Sequence, residues 1–203
     1  MFLISNNCLA GFIYRDILKT KYTSPFIWTG IHPDDYIQII DEFDKIDLTD
    51  IELVKEKDGL SNNFDILIYG KYHVHNHHMW FDKDAKIPST FGPNNCDIKY
   101  YKIWEYIFNN WIRRAKRCKL ENKKLFLFYD NFNLSKNPYK LTDVMQRHPE
   151  YMCIAFTDKN IKALNNLIIK KINLSWGSEP GGWYNSFMKT HKIFLENYLK
   201  NYE

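Results

Sequence analysis

Lys123-Lys124 lead into Leu125-Phe126-Leu127-Phe128-Tyr129-Asp130, an unbroken apolar run closed by an acid. A strand with one wet face alternates apolar and polar residues, so a run without alternation needs cover on both sides. Helices on both faces of a sheet follow, and with them a three-layer α/β architecture. Tyr151 to Phe156 repeats the pattern and delivers Thr157 and Asp158 at its carboxyl end. The opening of the chain is the third such piece: Phe2-Leu3-Ile4 reads as a buried strand, Ser5-Asn6-Asn7 as turn and cap chemistry, and Leu9 to Leu18 repeats at helical spacing. In open α/β sheets ligands bind beyond the carboxyl ends of the strands. Three polar strand ends, Ser5-Asn6-Asn7-Cys8, Tyr129-Asp130 and Thr157-Asp158, are therefore expected to converge on one crevice.

Between these runs the patterning predicts a first helix to about Thr20 and an extended link through Pro25. A second helix starts at His32-Pro33-Asp34-Asp35, with proline and acids in its first turn. Ile51–Val54 and Phe64–Tyr69 read as a hairpin around Asp58-Gly59 and Ser61-Asn62-Asn63. From Gly70 to Cys96 four histidines and two prolines break any sustained period, so residues 70–97 are expected to form a long histidine-rich surface loop or flap. A strong helix follows over Ile98–Lys119, ending in Arg113-Arg114-Ala115-Lys116-Arg117. Short helices are expected at Thr142–His148 and Asn160–Leu167, an edge strand at Ile168–Ile172, and a terminal helix from Tyr184 to Tyr198. The whole reads as a single domain, residues 1–203, built on a mostly parallel central sheet flanked by helices.

With 203 residues the chain is long enough to bury a sizeable core, and no low-complexity linker divides it. A net charge of +4 is too small for wholesale nucleic-acid binding and is compatible with an anionic small ligand. Cys8, Cys96, Cys118 and Cys153 are widely spaced without a CxxC, which argues against a zinc ribbon or a disulfide framework and for reduced, intracellular thiols. The amino end has no signal-peptide pattern, and no run reaches the length of a membrane span. The expectation is a soluble, cytoplasmic protein.

Several residues could carry chemistry. Cys8, at a helix N-terminus, is either a thiolate nucleophile of depressed pKa or a small buried residue beneath the loop. Ser5, Asn6 and Asn7 can bind sugar hydroxyls or phosphate, or simply cap the helix. Asp130, Asp158 and the Asp34-Asp35 pair are candidate general bases or ligands for a divalent metal, although Asp34-Asp35 reads first as a helix start. Arg113, Arg114 and Arg117 could grip a diphosphate in bidentate fashion, or complement the helix dipole. Trp176 and Trp183 could stack on a sugar ring or pin the terminal helix. On an extended segment His73, His75 and His77 would share one face, where three imidazoles could hold a transition metal, although no acid or cysteine completes a known spacing.

The stretch ISNNCLAGFIYRDI, then Tyr22-Thr23-Ser24-Pro25-Phe26, the Asp34-Asp35-Tyr36 helix start and the Trp111 to Arg117 helix resemble the DUF1919-like family, an uncharacterised bacterial family found among exopolysaccharide and capsule biosynthesis proteins. The resemblance runs from the amino end to about Asp130. It implies an α/β fold and a role in building or decorating surface glycans, without a catalytic set to carry over. That family usually shows a His-Tyr pair before the Trp/Arg helix, where this chain has Tyr100-Tyr101. The expectation is a glycan-biosynthesis enzyme making a glycosyltransferase-like transfer from a nucleotide sugar to a glycan acceptor. Asp130 or Asp158 would deprotonate the acceptor, while Asn6, Asn7 and the arginines hold the diphosphate. The alternatives are a sugar acyltransferase using Cys8 or a histidine, and a non-catalytic carbohydrate-binding or assembly protein.

Overall fold

The computed structural model describes residues 2–21, 23–27, 29–55, 64–76, 90–91, 98–130, 135–172 and 182–202. In chain order, the first half holds β1 (Phe2–Ser5), α1 (Leu9–Phe12) running on as a π-helical stretch (Ile13–Leu18), β2 (Thr29–Gly30), α2 (Pro33–Asp41), β3 (Ile51–Lys55), β4 (Phe64–Ile68) and β5 (Tyr72–Asn76). Then come β6 (Thr90–Phe91), α3 (Ile98–Leu120), β7 (Lys124–Tyr129), α4 (Lys140–Arg147), β8 (Met152–Thr157), β9 (Leu167–Lys171) and α5 (Gly182–Tyr202).

The apolar runs become a four-stranded sheet of order β1-β7-β8-β9, parallel throughout. Its two faces bury different partners, as unalternating strands require. Phe2, Ile4, Phe126, Phe128, Cys153 and Ala155 share one cluster with Tyr36 and Ile40 of α2, Trp111 and Ala115 of α3, and Leu141 and Met145 of α4. Leu3, Leu125, Leu127, Ile154 and Phe156 share the other with Leu9 and Ile13 of the first helix and Phe187 and Leu195 of α5. The three-layer α/β fold expected from the sequence is the one observed.

Outside that sheet, the expected hairpin pairs as β3 with β4 and belongs to a second, antiparallel sheet of order β2-β5-β4-β3-β6. Its inward residues Leu53, Ile66, Ile68 and Val74 join the cluster on the α2 side of the parallel sheet. Part of the histidine-rich segment is strand rather than loop. Tyr72 and Val74 are buried, whereas His73 and His75 alternate with them and are partly exposed. The rest of the expected flap, apart from β6, lies outside the described residues. The short helix expected over Asn160–Leu167 is also absent. That connection is irregular and closes in a tight turn at Asn165-Asn166, because α4 claims its polar groups: Thr142 Oγ1 donates to Lys162 O at 3.1 Å, and Asn166 Nδ2 donates to Met145 O at 2.8 Å.

The edge of β1 is closed by a side chain instead of another strand. Leu3 N–H, on the open side of β1, donates to the Tyr14 hydroxyl at 3.1 Å, while from the other layer the Tyr36 hydroxyl donates to Ile4 O at the β1–β7 seam. Both tyrosines are fully buried, one from each helical layer. Lys19, at a left-handed φ of 51°, ends the π-helical stretch and lets Thr20 N–H return to Tyr14 O.

Candidate functional site

At the carboxyl end of the parallel sheet, Asn6 follows the last residue of β1. Its side-chain amide donates to Tyr129 O at 2.7 Å and accepts from Tyr129 N–H at 2.8 Å, continuing the β1–β7 pairing by one side-chain rung. Ile31 N–H donates to Asn6 O at 2.8 Å, which draws the start of α2 to the same place. Asn6 is buried, and its amide is committed to the backbone of β7. Ser5 and Asn7 form the turn itself. The Ser5 hydroxyl donates to Asn7 Oδ1 at 2.9 Å, and that oxygen also accepts Leu9 N–H at 3.0 Å, so Asn7 serves the first turn of α1.

One residue beyond that clamp stands Asp130, 1% exposed. Its backbone N–H donates to Phe156 O at 3.0 Å, extending the β7–β8 ladder and fixing the direction of the side chain. Oδ2 accepts the Thr157 hydroxyl at 3.1 Å, and Oδ1 accepts Ser135 N–H at 3.4 Å. Burial raises the Asp130 pKa by more than these two bonds lower it, and the neighbouring charge of Asp158 raises it further.

Ser135 also reaches a second carboxylate. Its hydroxyl donates to Asp34 Oδ1 at 2.7 Å, and Lys136 N–H donates to Asp34 Oδ2 at 3.1 Å. Burial works to raise the Asp34 carboxyl as well, but the hydrogen bonds from Ser135 and from the backbone of Lys136 and Asn137 outweigh it, and the net shift is downward. Two carboxylates joined through one serine are thus pushed in opposite directions, a pattern that separates a group able to carry a proton from one that stays ionised. Asp34 is a candidate carboxylate in the sequence, whereas Ser135 carries no signal there. Asp34 read as a helix start, and its partners lie more than a hundred residues away, beyond the reach of any local pattern.

The remaining candidates are distributed as follows. Cys8 is the N-cap residue of α1, but burial pushes its thiol up to about 11, opposite to the depression expected of a helix N-terminus. Asp158 is exposed beside Lys159, and Lys171 Nζ steadies its loop by donating to Asp158 O at 3.0 Å and Lys159 O at 2.7 Å. Arg113, Arg114 and Arg117 lie in the half of α3 that feeds the amino end of β7. Asp130 follows the opposite, carboxyl end of that strand. His73 and His75 flank the buried Asp65 carboxylate at 3.6 and 3.0 Å, remote in sequence from every residue of the strand-end site. His77 and Trp176 lie outside the described residues, and Trp183 is placed only as a position in the first turn of α5. Among the described residues no group of three His, Cys, Asp or Glu is arranged to hold a metal ion.

The fold and these strand ends define an α/β protein with a buried carboxylate at the carboxyl edge of its parallel sheet. Residues 1–90 match the family described as a domain of unknown function, DUF1919. The matched stretch contains Ser5 to Cys8 and Asp34; Asp130, Ser135 and Thr157 lie beyond it. No curated protein matches the chain.

Proposed function

We propose that the protein is an enzyme of glycan biosynthesis that transfers a sugar from a nucleotide-activated donor to a glycan acceptor, with Asp130 as general base. The observation that carries the reading is the pairing of a buried carboxylate of raised pKa, Asp130, with an ionised one, Asp34, through Ser135. A carboxylate more basic than usual is a better proton acceptor near neutral pH. In the transfer, the acceptor oxygen forms a bond to the anomeric carbon, the bond to the donor phosphate breaks, and Asp130 takes the hydroxyl proton. Thr157 and the Ser135 backbone hold Asp130 in place before the reaction, so little reorganisation is needed. The cations nearest in sequence to the strand ends are Lys136 and Lys159, and they replace the arginines as the groups that would face the departing diphosphate. The glycan part of the reading rests on the resemblance of the amino-terminal stretch.

The acyl-transfer alternative loses support from the raised Cys8 thiol, since nucleophilic cysteines are thiolates. The test is a thermal-shift screen over nucleotide sugars and acyl-CoA, followed by a turnover assay with any donor that stabilises the protein. The expected result is stabilisation by a nucleotide diphosphate sugar and turnover that Asp130→Asn abolishes while Cys8→Ala preserves it. Glycan binding without turnover would instead make the protein a binding module.

A further inference from the structure

One cationic stretch of the fold takes no part in the strand-end site. Between Tyr106 and Leu120, α3 contains Arg113, Arg114, Lys116, Arg117 and Lys119 and no acid at all. Trp111, Ala115 and Cys118 are buried against the core, so the opposite side of the helix faces out. Tyr106, Asn109, Arg113, Lys116, Arg117 and Leu120 are all exposed, and at 100° per residue they fall within an arc of about 100°. The row is about 21 Å long at the rise of an α-helix. Its two ends are apolar and strongly exposed, Tyr106 at 71% and Leu120 at 83%. Arg113 is held on this face by Asn110, whose Oδ1 accepts its guanidinium at 3.0 Å. An open groove of about 510 Å³ runs past Glu105, Tyr106, Asn109, Asn110 and Arg113.

A solvated helix face ordinarily mixes both signs of charge. Here three exposed cations, Arg113, Lys116 and Arg117, stand against one acid at the near end, Glu105, and the flanking side chains are ones that water does not favour. We propose that this face of α3 docks the protein peripherally on an anionic lipid bilayer. The three exposed cations meet the negative headgroups, Tyr106 sits at headgroup level as interfacial tyrosines do, and Leu120 enters the acyl boundary. The exposed leucine favours this occupant over a nucleic acid, which offers stacking for a tyrosine and charge for the arginines but no apolar phase for an aliphatic side chain. No helix among the described residues is long and apolar enough to cross a membrane, so the attachment is superficial. The row shares no residue with the strand-end site, and the inference stands independently of the proposed reaction.

The test is co-sedimentation of the full chain with vesicles of phosphatidylcholine alone and of phosphatidylcholine mixed with phosphatidylglycerol. The protein is expected to pellet with the mixed vesicles only, and to be released by salt. Each basic side chain contributes about a fivefold factor near an anionic surface. The combined Arg113→Glu, Lys116→Glu and Arg117→Glu variant is therefore expected to partition roughly 100-fold less, and Leu120→Ser to bind more weakly with its salt dependence intact. These positions are solvent-exposed, and thermal midpoints matching the parent confirm that the variants are folded. Vesicle binding unchanged by the charge reversal would overturn the proposal. So would binding of a single-stranded oligonucleotide, lost on charge reversal, in a protein that ignores the vesicles.

Discussion

The side-chain amide of Asn6 and the backbone of Tyr129, 123 residues apart, are joined by two hydrogen bonds that each use one half of the amide. The arrangement substitutes a side chain for the next rung of the β1–β7 ladder and places Asp130 immediately beyond it. Replacing Asn6 by Leu keeps the volume and strands a buried N–H and a buried C=O. A loss of about 3 kcal/mol is expected, seen as a drop in Tm of roughly 6–12 °C for a chain of this size. A change within error would mean that the two strand ends are held by something else.

The two tyrosines on β1 make a second stability prediction. Tyr14→Phe leaves Leu3 N–H without its partner, and Tyr36→Phe removes the hydroxyl that Ile4 O accepts in addition to its ladder bond with β7. Each loss is expected to destabilise by about 1–3 kcal/mol in chemical denaturation. Hydrogen exchange at the Leu3 amide is expected to quicken in Tyr14→Phe and to stay slow in a surface control such as Lys45→Ala.

Stability should fall with acid in two separate legs. His191 is buried against Phe156 and Phe187, and its pKa is lowered, first by that burial and then by Lys170. The unfolded chain takes the proton near the ordinary value of 6.5 while the folded one resists, so stability is lost as pH drops through 6.5 toward the lower folded value. Asp34 and Asp41 have depressed pKa values, and their contribution is present above the ordinary 3.8 and lost as pH falls through the folded values. Denaturation curves across pH are expected to show both legs, and His191→Phe to flatten the upper one alone.

Much of the fold was legible because burial on both faces leaves a direct trace. Leu125–Tyr129 and Tyr151–Phe156 lack alternation, and the structure covers both of their faces with helices. The strand at Tyr72–Asn76 carried a period of two, with Tyr72 and Val74 inward, but its histidines drew the reading toward a loop. The irregular Asn160–Asn166 connection has an ordinary helical composition. Only the capture of Lys162 O by Thr142, and the reach of Asn166 to the end of α4, decide its conformation, and those partners come from another element. The site divides in the same way. Asp130 is visible as the acid closing an apolar run, whereas the pairing of Asp34 with Ser135 depends wholly on tertiary placement. The Cys8 thiol shows the same limit: the sequence leaves a thiolate and a buried thiol both open, and the tertiary burial that raises its pKa decides between them.

If Asp130 is present for chemistry, its removal should not harm the fold. Its charged form is disfavoured by burial, so Asp130→Asn is expected to leave Tm unchanged or slightly raised while removing any turnover. A large loss of stability in that variant would assign Asp130 a structural task instead.

The most direct test is a carbon-detected NMR titration of the aspartate carboxyls in the full chain. Asp130 is expected to titrate above the ordinary 3.8 and Asp34 below it. Ser135→Ala should bring Asp34 back up, because it removes the hydroxyl that Asp34 accepts. An Asp130 carboxyl that titrates at or below Asp34 would contradict the account, since no proton acceptor would then stand at the strand ends.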